Sequence, residues 1–115
     1  MSKHNLKVKL ALAWEHSDEY KATVTVTTTD TCYHAGALKV GLPPHTEGTG
    51  LVEYLSFDFT HEGNECGQIV RDVSKSITVK IPSVKRSVTA YAVVNGQVAG
   101  EAGAPLPKKA THAAK

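Results

Sequence analysis

Ser76-Ile-Thr-Val-Lys-Ile-Pro82, then Arg86-Ser-Val-Thr-Ala-Tyr-Ala-Val-Val-Asn-Gly-Gln-Val-Ala-Gly-Glu101, is the stretch that decides the fold. Ile77, Val79 and Ile81 alternate with Ser76, Thr78 and Lys80, the period of a strand with one buried face. Asn95-Gly96 follows a β-branched run and precedes Gln97-Val98. Both turn residues tolerate positive φ, which a two-residue type I′ hairpin requires. An unbroken hairpin centred there sets Val94 against Gln97, Val93 against Val98, Ala92 against Ala99 and Tyr91 against Gly100. One face then carries Tyr91, Val93 and Val98, and the other Ala90, Ala92, Val94, Gln97 and Ala99. On buried apolar area the tyrosine–valine face is expected to be the core. The alanine face then reads as a flat surface or as a contact for another chain.

The same alternation runs upstream. Leu6, Val8, Leu10, Leu12 and Trp14 mark one face of a first strand, and the polar run Glu15–Glu19 turns the chain. Tyr20, Ala22, Val24 and Val26 form a second strand, expected antiparallel to the first. Thr27-Thr-Thr-Asp-Thr31 is polar on both faces, as at a strand end leaving the core. The segment from Ala35 to Leu42 reads either as a short strand around Ala37–Val40 or as irregular. Leu51–Thr60 is a further strand with both faces half apolar, the pattern of a central position: Leu55, Phe57 and Phe59 on one side, Val52 and Tyr54 on the other. Ile69–Val73 reads as a short strand before the one at Ser76. No segment keeps a helical period over three turns.

The chain of 115 residues is one domain by length and composition, with 41% apolar and 21% charged residues. Seven or so short strands in a chain near one hundred residues predict an all-β fold. The expected form is an antiparallel β-sandwich of immunoglobulin-like or fibronectin-like architecture. Only the architecture is implied: the tryptophan sits on the first strand, and Cys32 and Cys66 fall outside strands. The domain is expected over 1–105, with 106–115 a flexible Ala/Lys/Pro tail.

Two loops stand out. Gly41–Gly50 packs two prolines and three glycines into ten residues, and His61–Gly67 contains two more glycines. Loops on a rigid scaffold are common binding elements. The residues expected to meet a partner are Pro43, Pro44, His45 and Glu47 in the first loop and Glu62 and Asn64 in the second.

Cys32-Tyr-His34 and His61-Glu-Gly-Asn-Glu-Cys66 form the one constellation that could carry chemistry. On an extended chain Cys32 and His34 project to the same side, and His61 and Cys66 bracket a glycine-containing loop. Two thiolates and two imidazoles make a tetrahedral zinc site. Three readings stand open: a Cys32–Cys66 disulfide, two reduced cysteines, or a metal centre of Cys32, His34, His61 and Cys66. No cofactor is expected unless that zinc site forms.

Catalysis finds no motif: neither a Gly-x-Ser-x-Gly elbow nor a His-Glu-x-x-His pair occurs. No catalytic residue is named and no enzyme is expected. A formal charge of +2 before the six histidines is too small to point to nucleic acid. Nothing approaches a membrane-spanning helix, so no membrane insertion is expected. No signal peptide is evident, which predicts a cytoplasmic protein; a Cys32–Cys66 disulfide would instead place it in an extracellular or periplasmic setting. The expected function is a non-enzymatic interaction or structural accessory module. Its partner would be another protein or a second copy, met through loops 41–50 and 61–67 or a strand edge. The alternative is a zinc-type metal or redox domain.

Overall fold

The computed structural model describes residues 4–107, which form seven strands and no helix. They are β1 (Lys7–His16), β2 (Glu19–Thr28), β3 (Tyr33–Val40), β4 (Val52–His61), β5 (Arg71–Lys80), β6 (Ser87–Val94) and β7 (Gln97–Pro105). Two sheets result, one ordered β1-β2-β5 and the other β3-β4-β6-β7. Side chains between them make a single core. An all-β, two-layer fold of seven strands is what the alternating pattern demands.

Inward residues follow the predicted period. On β2, Tyr20, Ala22, Val24 and Val26 are buried; on β4, Leu55, Phe57 and Phe59; on β6, Val88, Ala90, Ala92 and Val94. β2 is the middle strand of its sheet, pairing antiparallel with both β1 and β5. β5 is one continuous strand where the sequence suggested two, because Ser74, Lys75 and Ser76 keep the extended register opposite Thr25, Val24 and Thr23.

One pairing departs from an antiparallel sandwich: β4 and β6 run parallel, from Val52 opposite Ser87 to Phe59 opposite Val94. β5 lies between them in sequence but in the other sheet, and it carries the chain back before β6 begins. β6 therefore enters beside β4 in the same direction.

That pairing corrects the expected core face. Leu55 stands beside Ala90, Phe57 beside Ala92 and Phe59 beside Val94, so the alanines face inward. The aromatics of β4 occupy the volume that the alanines leave. Close packing of large against small decides here, rather than the area of any one side chain. Tyr91 points outward and stacks on Tyr54, with ring centroids 6.3 Å apart.

The Asn95-Gly96 turn forms as expected, with φ of 50° and 82°. The register beyond it slips, however. Val93 faces Val98, but Ala92 faces Gly100 rather than Ala99. This bulge lets β7 bend toward β1, where the Leu6 amide donates to the Ala99 carbonyl at 2.8 Å. Gly100 lies against the Leu6 carbonyl so closely that a Cβ could not fit. At the opposite side of the sandwich, Lys75 sits on the inward register of edge strand β5. Its ammonium donates to the Gly36 carbonyl, 2.6 Å away, at the bulge of β3. An inward-facing charge on an edge strand resists edge-to-edge pairing.

Leu106, expected in the flexible tail, packs against the core, and its amide donates to the Arg86 carbonyl. The remaining tail positions 108–115 lie outside the described residues.

Candidate functional site

The strand directions put residues 28–32, 61–70 and 95–96 at one end of the sandwich and 17–18, 41–51 and 81–86 at the other. Loops 41–50 and 61–67 thus occupy opposite ends and cannot form one surface. Each end has its own cluster.

At the first end, two connections cross between the sheets: β2 to β3, and β4 to β5. Cys32 lies on one and Cys66 on the other, and they form a disulfide with 5.4 Å between their Cα atoms. Backbone pairing joins the same two connections. The Thr31 amide donates to the Gly67 carbonyl at 3.0 Å, the Gly67 amide to Thr31 Oγ1 at 2.9 Å, and the Glu62 amide to the Cys32 carbonyl at 3.2 Å. Gly63 has a φ of +127°, and an added Cβ would lie 2.8 Å from Cys32 Sγ, so a side chain is excluded there twice over.

His61 continues the inward series of Leu55, Phe57 and Phe59 one step past the core. Its Nε2 lies 3.0 Å from both carboxylate oxygens of Asp30. The Tyr33 ring stands edge-on to His61, with centroids 4.4 Å apart, and its hydroxyl is 2.7 Å from His4 Nδ1. Asn95 fixes the end of β4: its Oδ1 accepts from the His61 amide and its Nδ2 donates to the His61 carbonyl.

Partial removal from water pushes the Asp30 carboxyl up. The His61 hydrogen bond, the Cys32 amide 2.8 Å away, and the charges of His61 and His4 outweigh it and hold the carboxyl below its ordinary value of 3.8. Burial raises the Tyr33 phenol, and the Asp30 charge raises it further.

Of the four residues expected around a metal, Cys32, His61 and Cys66 come together, and His34 does not. Cys32 belongs to the turn before β3, so the two-residue strand period does not link it to His34. His34 pairs with Thr60 on the outer face and is exposed. Asp30 takes its place: one ligand-type atom from each of Asp30, Cys32, His61 and Cys66 lies within 4.8 Å of the others. The two sulfurs are bonded to each other, which leaves no thiolate for a metal. An Asx-type contact two residues ahead of Cys32 was the available signal for Asp30, since such aspartates accept a local backbone N–H.

At the opposite end, loop 41–51 folds back over β4. The Gly41 amide donates to the Tyr54 carbonyl, Ser56 Oγ to the Gly41 carbonyl at 2.7 Å, and the Thr49 amide to the Tyr54 hydroxyl at 2.9 Å. Gly48 rests on the Tyr54 ring, with no room for a Cβ. A hollow of about 370 Å³ opens beside the loop, lined by Val40, Leu42, Val52, Tyr54 and the Glu53–Lys85 pair. Glu53 and Lys85 stand 3.9 Å apart and are mostly buried, and Lys85 Nζ also donates to the Val52 carbonyl. Val40, Leu42, Leu51 and Val84 are exposed around this end.

The expected contact residues divide accordingly. Pro44, His45 and Glu47 are exposed at the hollow end, and Glu62 and Asn64 at the disulfide end. Pro43 is buried; it packs beneath its loop, where its carbonyl accepts from Thr46 Oγ1. Leu42 and Val84 were missed, because single apolar residues in loops carry no periodic signal; Leu51, read as the first residue of a strand, lies in the turn before β4 and is exposed. Among the described residues no helix is long and apolar enough to cross a membrane. No family model matches the chain, and no curated protein or solved structure matches it.

Proposed function

We propose that the protein is a non-enzymatic interaction module of an oxidising compartment, extracellular or periplasmic. Its recognition surface in this reading is the hollow end, where an apolar side chain from an extended segment of a partner protein docks. The observation that carries this reading is that four of the six large apolar side chains exposed among the described residues lie at this end, the other two being Ile69 and Val70 at the far end. Val40 and Leu42 line the hollow together with Thr49, Val52, Tyr54 and the already paired Glu53 and Lys85, while Leu51 and Val84 are exposed at the same end. Such an arrangement suits an apolar anchor with polar backbone contacts at its rim. The loop that forms it is held by hydrogen bonds to Tyr54 and Ser56, so little ordering entropy opposes binding. The disulfide supports the compartment, since such bonds persist where thiols are not kept reduced.

The test places a photo-crosslinking residue at Val84 and, separately, at Val70 at the far end, in protein expressed in its native host. The expected result is a discrete adduct from position 84 alone, either with another chain or with a second copy, that disappears in Leu51→Asp. Equal adducts from both positions, or none from 84, would overturn the reading.

A further inference from the structure

The disulfide end holds more polar machinery than a covalent staple needs. Beside the sulfurs stand a carboxylate and an imidazole, Asp30 and His61, already oriented toward each other. Two thiolates, one imidazole and one carboxylate form a ligand set suited to zinc. Zinc–sulfur bonds of about 2.3 Å and zinc–nitrogen bonds of about 2.0–2.1 Å require neighbouring ligand atoms roughly 3.3–3.8 Å apart in a tetrahedron. The four donor atoms here lie within 4.8 Å of one another, so shifts of an ångström or two complete that geometry.

A second observation is independent of the ligands. The two connections bearing the cysteines are joined by three hydrogen bonds that do not involve sulfur: Thr31 to Gly67 in both senses, and Glu62 to Cys32. Breaking the S–S bond leaves those in place, so the thiols stay near each other and near Asp30 and His61.

We propose that Cys32–Cys66 is a redox-controlled metal site: oxidised it is a disulfide, and reduced it takes one divalent cation of zinc type. The ligands are Cys32, Cys66, His61 and Asp30. Reduction by a dithiol transfers two electrons and two protons, yielding two cysteine thiols and the reductant's own disulfide. Binding the cation then releases one proton from each thiol to solvent. This site is remote from the hollow end, and neither reading depends on the other.

The test uses the intact chain, reduced with a phosphine that becomes its oxide and is then removed, under anaerobic conditions. Cobalt(II) is the probe. The expected result is one cobalt per chain with a thiolate-to-cobalt charge-transfer band, an unchanged β-sheet circular dichroism spectrum, and no uptake by the oxidised protein. Cys66→Ser should remove the band. Asp30→Asn and His61→Gln should each weaken binding by more than about tenfold, since losing even a ligand's supporting partner costs that much. His34→Gln should change nothing. Absence of the band in reduced protein would overturn the proposal. So would binding undiminished in both Asp30→Asn and His61→Gln, or cobalt uptake only after the sheet signal is lost, because the proposal requires the two loops to hold the site without the S–S bond.

Discussion

The two ends of the sandwich solve the same problem differently. At the disulfide end, the connections that cross between the sheets are laced by a covalent bond, a His–Asp pair and the Asn95 side chain. At the hollow end, loop 41–51 is held by hydrogen bonds to β4 and by the Arg86 amide donating to the Leu51 carbonyl, and it leaves apolar side chains in solvent. Both ends expose apolar side chains, Ile69 and Val70 at the first and Val40, Leu42, Leu51 and Val84 at the second, but the first alone adds a covalent bond between its connections. On the proposed reading, a braced end opposite a recognition end lets the second change without disturbing the first.

Breaking the staple is the sharpest way to test that contrast. Cys32→Ser with Cys66→Ser opens a loop of sequence separation 34 and should cost about 2–4 kcal/mol, read as a lower urea midpoint. Gly63→Ala should follow, at about 1–3 kcal/mol, because alanine is strained at that φ and presses on Cys32 Sγ. Asn95→Ala removes both contacts to His61 and the residue best suited to its positive φ, so a loss of about 1–2 kcal/mol is expected. By contrast Leu42→Asp and Leu51→Asp, at the hollow end, should stay within about 0.5 kcal/mol of the parent while abolishing adducts at position 84. A large stability loss from either would show that the apolar rim is part of the core.

Acid separates the ends as well. The Asp30 carboxyl is held below its ordinary value of 3.8, so the folded state binds its proton less readily than the unfolded chain does. The resulting stabilisation is complete above that ordinary value and fades as the pH falls toward the lowered one. The parent and Asp30→Asn should therefore differ most in urea midpoint near neutrality and converge in stronger acid. A difference that stays constant down to pH 2 would show that the His61–Asp30 contact is not the source.

The alternating pattern by itself determined β1, β2 and β4 with their inward residues, and the β6–β7 hairpin at Asn95-Gly96, but neither the extent of β3 nor the continuity of β5. These are local properties: a period of two and a pair of positive-φ residues need no knowledge of neighbours. It also brought Cys32, His61 and Cys66 into one group, although their bonding state stayed open. Tertiary structure alone decided the rest. The alanines of β6 became core because β4, in parallel, supplied Phe57 and Phe59 beside them. The bulge between β6 and β7 accompanies the Leu6 amide's hydrogen bond to the Ala99 carbonyl. His34 and Asp30 exchanged places because Cys32 fell in a turn, where the strand period stops. In each case the deciding partner is distant in sequence, and side-chain volume or backbone direction at that partner is not encoded in the local pattern.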